Sequence, residues 1–149
     1  FCEFDVWDRS AQQFLDTPRR HALLADVPVV SVPVLYSGVA PKRVQDLLAL
    51  LAPSLARSAQ WRSVFEEQVL RQQLDLPLAW KQTDGSDLAE GLYIKVEENG
   101  QTVARYKFVR SDFVQTILDS GSHHSERPIV ANGLRAGVDI FANVIQKGW

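Results

Sequence analysis

Asn99-Gly100, set between the β-rich runs EGLYIKVEE and QTVARYKFVR, constrains the fold more than any other stretch of the chain. An Asn-Gly pair flanked by such runs is the strongest short-range hairpin signal a sequence offers. The loop length then decides which charges share a face. A two-residue loop pairs Glu98 with Gln101 and Lys95 with Ala104, which turns Lys95 away from Arg105 and Lys107. A three-residue loop of Glu98-Asn99-Gly100 puts the glycine in the left-handed position of a G1 bulge and pairs Lys95 with Val103. Lys95, Arg105 and Lys107 then share one face, because side chains on a strand repeat every two residues. The three-residue loop is the expectation here. Three cations on one face repel unless an anion joins them. Spacing alone favours an exposed strand on which Glu97 and Glu98 screen that charge; a pocket for a nucleotide phosphate is the sharper alternative.

The 149 residues suffice for one domain with a core. With 46% hydrophobic and 23% charged residues the composition is that of a globular protein. A net charge of −2 gives no global basic field, so any nucleic-acid or phosphate contact must come from a local cluster. The single cysteine, Cys2, excludes an intrachain disulfide and reads as a small core residue. No apolar run approaches the roughly 20 residues of a membrane span, and the expected location is cytoplasmic. The chain starts at Phe1 without a methionine on what reads as the middle of a sheet, so a piece of a longer protein is expected.

FCEFDVW alternates apolar and polar residues at the period of a strand. DRSAQQFLDTPRRHALLAD reads as a helical stretch around Pro18 that carries Phe14, Leu15, Leu23 and Leu24 inward. VPVVSVPVLYSG is β-rich, with Pro28 and Pro33 confining it to an edge. Val44, Leu47, Leu48 and Leu51 mark an amphipathic helix, and Trp61, Val64, Phe65 and Val69 mark a second. WKQTDGSDLAEG reads as turns. SDFVQTILDSG reads as a helix with Ser111 as N-cap and Gly121 as stop, its apolar stripe formed by Phe113, Val114, Ile117 and Leu118. Leu134, Val138, Phe141 and Ile145 keep helical spacing in the tail. Strands before and after a helical insertion make the class α+β.

FCEFDVWD, EGLYIKVE and RYKFVR, in that order, resemble three motifs of ATP-dependent RNA ligases, within the covalent nucleotidyltransferase superfamily. The continuation SDFVQTILDSGSHHSERPIVANGLRAGVDIF is similar to that of bacterial ligases of this kind. The resemblance implies the C-terminal part of a catalytic domain: the antiparallel sheet portion of an ATP-grasp-like nucleotidyltransferase fold with a helical insertion and C-terminal helices. It divides the chain into a ligase portion over 1–110 and a small helical extension over 111–149. It implies that Phe4 stacks on adenine and that Asp5 is a structural or ribose-side anchor. Glu90 would hold a divalent metal or the nucleotide, Lys95 would contact the phosphates, and Arg105 and Lys107 would bear on the α-phosphate. Lysine is usual where Arg105 stands, and arginine changes the donor geometry. ATP, Mg2+ or Mn2+, and RNA ends are the implied ligands, with RNA sealed through lysyl-AMP and AMP-RNA.

These enzymes need a nucleophilic lysine in a K-x-D-G motif. Lys81-Gln82-Thr83-Asp84-Gly85 is one residue too long, follows the FDVWD strand instead of preceding it, and reads as a turn. The nucleophile is therefore expected upstream of Phe1, and this chain alone is expected to be inactive. The alternative is a non-catalytic nucleotide- or RNA-binding module derived from a nucleotidyltransferase. A fragment that folds alone would expose a sheet edge, which is expected to pair with another copy or with the missing N-terminal segment. His123-His124 lacks a third ligand at usable spacing, which argues against a metal. Arg110 reads as a solvated end-of-strand residue in preference to a contact with RNA or phosphate. Trp7, Trp61 and Trp80 read as core or interface anchors.

Overall fold

The computed structural model describes residues 2–121, 130, 131 and 133–140; His123, His124, Phe141, Ile145 and Trp149 lie outside them. The described chain is mixed helix and sheet, and its contacts divide it into two units. The first gathers the chain up to Asp46 with Tyr93–Lys107; the second gathers Leu47–Leu92 and the described part of Phe108–Val138.

In the first unit FCEFDVW is not one strand. Strand β1 (Cys2–Glu3) pairs in parallel with the edge strand β4 (Val30–Ser31), while β2 (Trp7–Asp8) pairs antiparallel with β3 (Gln13–Leu15). Phe4–Val6 carries the chain from one sheet to the other, which alternation alone cannot reveal. Cys2 is exposed at the end of β1, not a core residue. The larger sheet runs β2-β3-β6-β5, with β5 at Gly91–Glu98 and β6 at Gln101–Val109. Phe14 and Leu15 belong to β3 and pair with Thr102 and Gln101, so the helix expected around Pro18 begins later than they do. That helix, α1 (Thr17–Leu24), starts where Asp16 accepts the Arg19 amide at 2.9 Å and Pro18 fills the first turn. Leu23 is exposed, and the residue α1 buries is Arg20.

A five-residue helix, α2 (Val44–Leu48), is all that forms of the stripe expected to run to Leu51. Leu50 and Leu51 donate to Leu47 and Leu48 in tighter i→i−3 turns, and Pro53 follows. The second unit is built on α3 (Trp61–Arg71), α4 (Leu76–Lys81) and α5 (Ser111–Ser120). Phe65, Val69 and Ala79 form its core, with Trp61, Leu76, Trp80 and Val130 packed against them. Trp61 and Trp80 are anchors as expected, their rings 5.8 Å apart and their indole N–H groups bonded to Asp87 and Glu66. Helix α4 occupies a stretch expected to be part turn. Asp75 accepts the Leu78 amide at 2.7 Å and Pro77 sits in the first turn, repeating the device that starts α1. Helix α5 begins at Ser111 with Arg110, not Ser111, in the cap position, and ends at Gly121 with φ 61°. Ile117 and Leu118 of its stripe are exposed. Leu134 and Val138 lie in no helix; a turn at Ala136-Gly137, with Gly137 at φ 76°, separates them.

Candidate active site

Positive φ at both central residues, 52° at Asn99 and 83° at Gly100, makes the β5–β6 connection a two-residue type I′ turn. The three-residue loop is therefore corrected. Its consequence nevertheless holds, by another route. Strand β6 has nine residues against eight in β5. The Arg110 amide donates to the Glu90 carbonyl, a pairing one residue out of step with Glu98 opposite Gln101 at the turn. One extra residue is thus accommodated in β6, and such a bulge reverses the alternation beyond it. It lies between Thr102, which pairs with Phe14, and Arg105, whose guanidinium lies 3.7 Å from the centre of the Phe14 ring. Arg105 accordingly reaches the same carboxylate as Lys95, and Lys107 follows it on that face two residues on.

That carboxylate belongs to Asp5. Its Oδ2 accepts the Tyr93 hydroxyl at 2.5 Å and Arg105 Nη1 at 3.1 Å, and its Oδ1 stands 3.3 Å from Lys95 Nζ. Burial pushes the Asp5 carboxyl up, but the hydrogen bonds from Tyr93, Arg105 and Lys95 together outweigh it and hold it below the usual range. Burial and the neighbouring Asp5 push the Tyr93 hydroxyl up in turn. Lys95 is only 11% exposed and has a second carboxylate, Glu97 Oε1, at 3.3 Å. Glu97 also accepts the Thr17 amide at 2.9 Å and the Thr17 hydroxyl at 2.7 Å, which ties the first turn of α1 to β5. Arg105, by contrast, is 40% exposed. Phe4 is half exposed and meets Tyr93 edge-on, with ring centres 5.3 Å apart. Glu90 stands just before β5, in the second unit, with its residue exposed.

The structure thus brings Asp5, Lys95 and Arg105 into one cluster with Phe4 beside it. The sequence reading missed Tyr93 and took Glu97 only as a screen for the cations, and Glu97 does stand 3.3 Å from Lys95. Both were marked by alternation, since Tyr93, Lys95 and Glu97 fall on one face of β5. Beneath the cluster, Glu3 and Arg20 form a buried pair at 3.5 Å, and Arg20 also donates to the Phe4 carbonyl. Arg20 Nη2 lies 3.1 Å from His21 Nε2, a contact in which only the neutral imidazole accepts. Burial, and then the Arg20 charge, hold the His21 imidazole below its ordinary 6.5. The unfolded chain therefore binds the proton more readily than the folded one. The stability that His21 contributes is complete above pH 6.5 and is lost as pH falls through 6.5 toward the lower folded value. In urea titrations from pH 8 to pH 5, the acid-side loss should be steeper in the wild type than in His21→Gln. Parallel profiles would refute the assignment.

In the second unit Arg110 is buried, not solvated. Its Nε donates to the Ala89 carbonyl at 2.8 Å, Nη2 to Asp84 at 2.7 Å and Nη1 to Asp112. Arg57 reaches Asp84 as well, through the carbonyl at 2.9 Å and the carboxylate at 3.4 Å. Asp84 of KQTDG is therefore a structural acceptor, and Lys81 closes α4. A cleft of 490 Å³ opens nearby, lined in part by Arg57, Trp61, Phe65, Asp84 and Phe113; none of Phe4, Asp5, Lys95 or Arg105 lines it. Among the described residues no three His, Cys, Asp or Glu side chains gather as a metal site. None of the described helices is long and apolar enough to cross a membrane.

The RNA ligase family model matches residues 1–109, so it covers β1 through β6 and the cluster built on them. The chain belongs to the RNA ligase family. Comparison with curated proteins and with solved structures gave no match. The matched span of this RNA ligase family chain holds the first two motif stretches whole and the third, RYKFVR, up to Val109, ending just before Arg110.

Proposed function

We propose that the chain is the C-terminal part of the catalytic domain of an ATP-dependent RNA ligase, and that the Asp5 cluster is its phosphate site. The observation that carries this reading is the convergence of Lys95 and Arg105 on one anion. Two cations fixed on a carboxylate are equally disposed toward phosphate oxygens, and an arginine fork suits either. Arg105 is exposed enough to be reached by a ligand. Phe4 stacks on adenine, held edge-on by Tyr93. Lys95 and Arg105 hold the phosphates, and with Lys107 they stabilise the charge that develops as pyrophosphate leaves. Asp5, with its pKa held low, keeps both cations oriented between ligands.

A magnesium or manganese ion would be held through Glu90. An exposed single carboxylate fits that ion, which binds through one or two carboxylates, substrate phosphates and retained water. When bound, the metal would supply charge neutralisation to phosphate oxygens. The lysine that takes AMP is not among the residues of this chain. Lys95 is held between two carboxylates, Asp5 and Glu97, and lies in no K-x-D-G sequence. Lys81 sits in no K-x-D-G sequence.

The test is incubation of the chain with ATP labelled on its α-phosphate, with Mg2+ or Mn2+, read both by equilibrium binding and on a denaturing gel. Reversible binding without covalent label is expected. Covalent label that disappears in Lys81→Ala would overturn the placement of the nucleophile, and absence of any binding would overturn the phosphate site.

A further inference from the structure

Two aromatic pairs flank the cations. Phe4 and Tyr93 form one, and the other is Trp7 with Phe14, their ring centres 4.7 Å apart. The Arg105 guanidinium joins the two. It lies 3.7 Å from the centre of the Phe14 ring and 3.1 Å from Asp5, which accepts the Tyr93 hydroxyl. The ligase reading uses the first pair for adenine and leaves the second without a task.

The second pair has the properties of a stacking platform. Trp7 and Phe14 are directly opposed on neighbouring strands, so both rings stand on the sheet face that bears the cations. Trp7 is 44% exposed, yet its contact with Phe14 restrains the ring, so little freedom is lost when something stacks on it. Phe14 is covered by the guanidinium, which leaves Trp7 as the ring open to a ligand. A flat aromatic next to a cation answers to a nucleobase joined to a phosphate. Single-stranded nucleic acid is held in just this manner, by bases on aromatic rings and backbone on cations. Lys95 and Arg105 stand on this face beside the platform, so a base stacked on Trp7 would bring its phosphate to them.

We propose that Trp7, backed by Phe14 and Arg105, is the subsite for the 5′-terminal base of a single-stranded RNA whose 5′-phosphate lies on Arg105 and Lys95. The proposal rests on the reading of those cations as a phosphate site. Adenine and the RNA base would then sit on opposite sides of the phosphates that join them during sealing. Trp7 touches the substrate but no reacting atom, so it governs RNA affinity and not ATP affinity.

The experiment is fluorescence anisotropy with a 5′-phosphorylated, 3′-fluorescein-labelled 12-nucleotide single-stranded RNA, and with the same strand abasic at its first position. Loss of the base should weaken binding to the wild-type chain about tenfold, in the range of one base–aromatic stack. Trp7→Ala should weaken the intact strand by a similar factor and bind both strands equally. Trp7→Phe should retain most of the affinity, and ATP binding should be unchanged in both variants. Equal binding of the two strands by the wild type would overturn the subsite, as would continued discrimination by Trp7→Ala. ATP bound without RNA would overturn it too, while leaving the ligase reading in place. Failure to bind ATP, with base discrimination through Trp7 intact, would instead overturn the ligase reading and support the subsite.

Discussion

Arg110→Ala should cost about 3 kcal/mol or more of folding stability, the range found when one partner of a buried ion pair is removed. The side chain is 5% exposed and donates to a carbonyl and two carboxylates, and Asp84 is itself only 9% exposed. Truncation leaves the Ala89 carbonyl without that donor and the Asp84 carboxylate with the Ser86 amide at 3.0 Å and Arg57 at 3.4 Å, neither of which replaces the close guanidinium. For a chain of this size the melting temperature should fall by roughly 10 °C. Lysine at this position should rescue little, because a point charge cannot replace three differently directed donors. A melt within 2 °C of wild type, or full rescue by Arg110→Lys, would show that the buried network is not what holds the second unit.

Lys95→Ala is expected to weaken ATP binding by roughly 10- to 100-fold, the value of one charge-assisted hydrogen bond, and to lower stability by about 2 kcal/mol. The two effects separate by pH. The stability loss arises from leaving Asp5 and Glu97 without their shared cation. Asp5 has a folded pKa below its ordinary 3.8, so what it adds to stability is complete above that value and is lost as pH falls below it. The stability difference between wild type and variant should therefore shrink on acidification, whereas the deficit in ATP affinity persists at neutral pH. Isothermal titration with ATP at pH 7.5, beside urea melts at pH 7.5 and pH 3, measures both. A variant that binds ATP normally would remove Lys95 from the phosphate site. A stability difference unchanged at pH 3 would show that the lysine acts through packing alone.

Much of this site could be read before any coordinates. The Asn99-Gly100 turn, the β runs on either side and the three motif stretches are local features, and local chemistry fixes them. What escaped has recognisable causes. The break in FCEFDVW depends on two partner strands far away in sequence, one reached in parallel and one antiparallel. The starts of α1 and α4 are legible in the sequence: Asp16-Thr17-Pro18 and Asp75-Leu76-Pro77 are the same capping signal written twice. Arg110 looked solvated because nothing near it in sequence announces Asp84, twenty-six residues earlier, as its partner. Asp5 becomes the centre of the cation cluster only when β5 and β6 fold beside it.

The bulge in β6 means that residue parity, and not residue identity alone, assigns Arg105 and Lys107 to the site. Counted from the turn, the two cations have the phase of the opposite face; counted from the base of the hairpin, they have the phase of Lys95. Were the extra residue drawn into a regular ladder from the turn, every chemical group of the motifs would stay in the sequence and yet both cations would turn out of register with Asp5, whereas removing one residue at Val103 or Ala104 would leave them in register with no bulge at all. The strand therefore stores part of its specificity in an irregularity of its pairing. Any comparison with other ligase sequences has to align β6 from each end separately, because a single offset carried across the hairpin would match the right letters to the wrong side of the sheet.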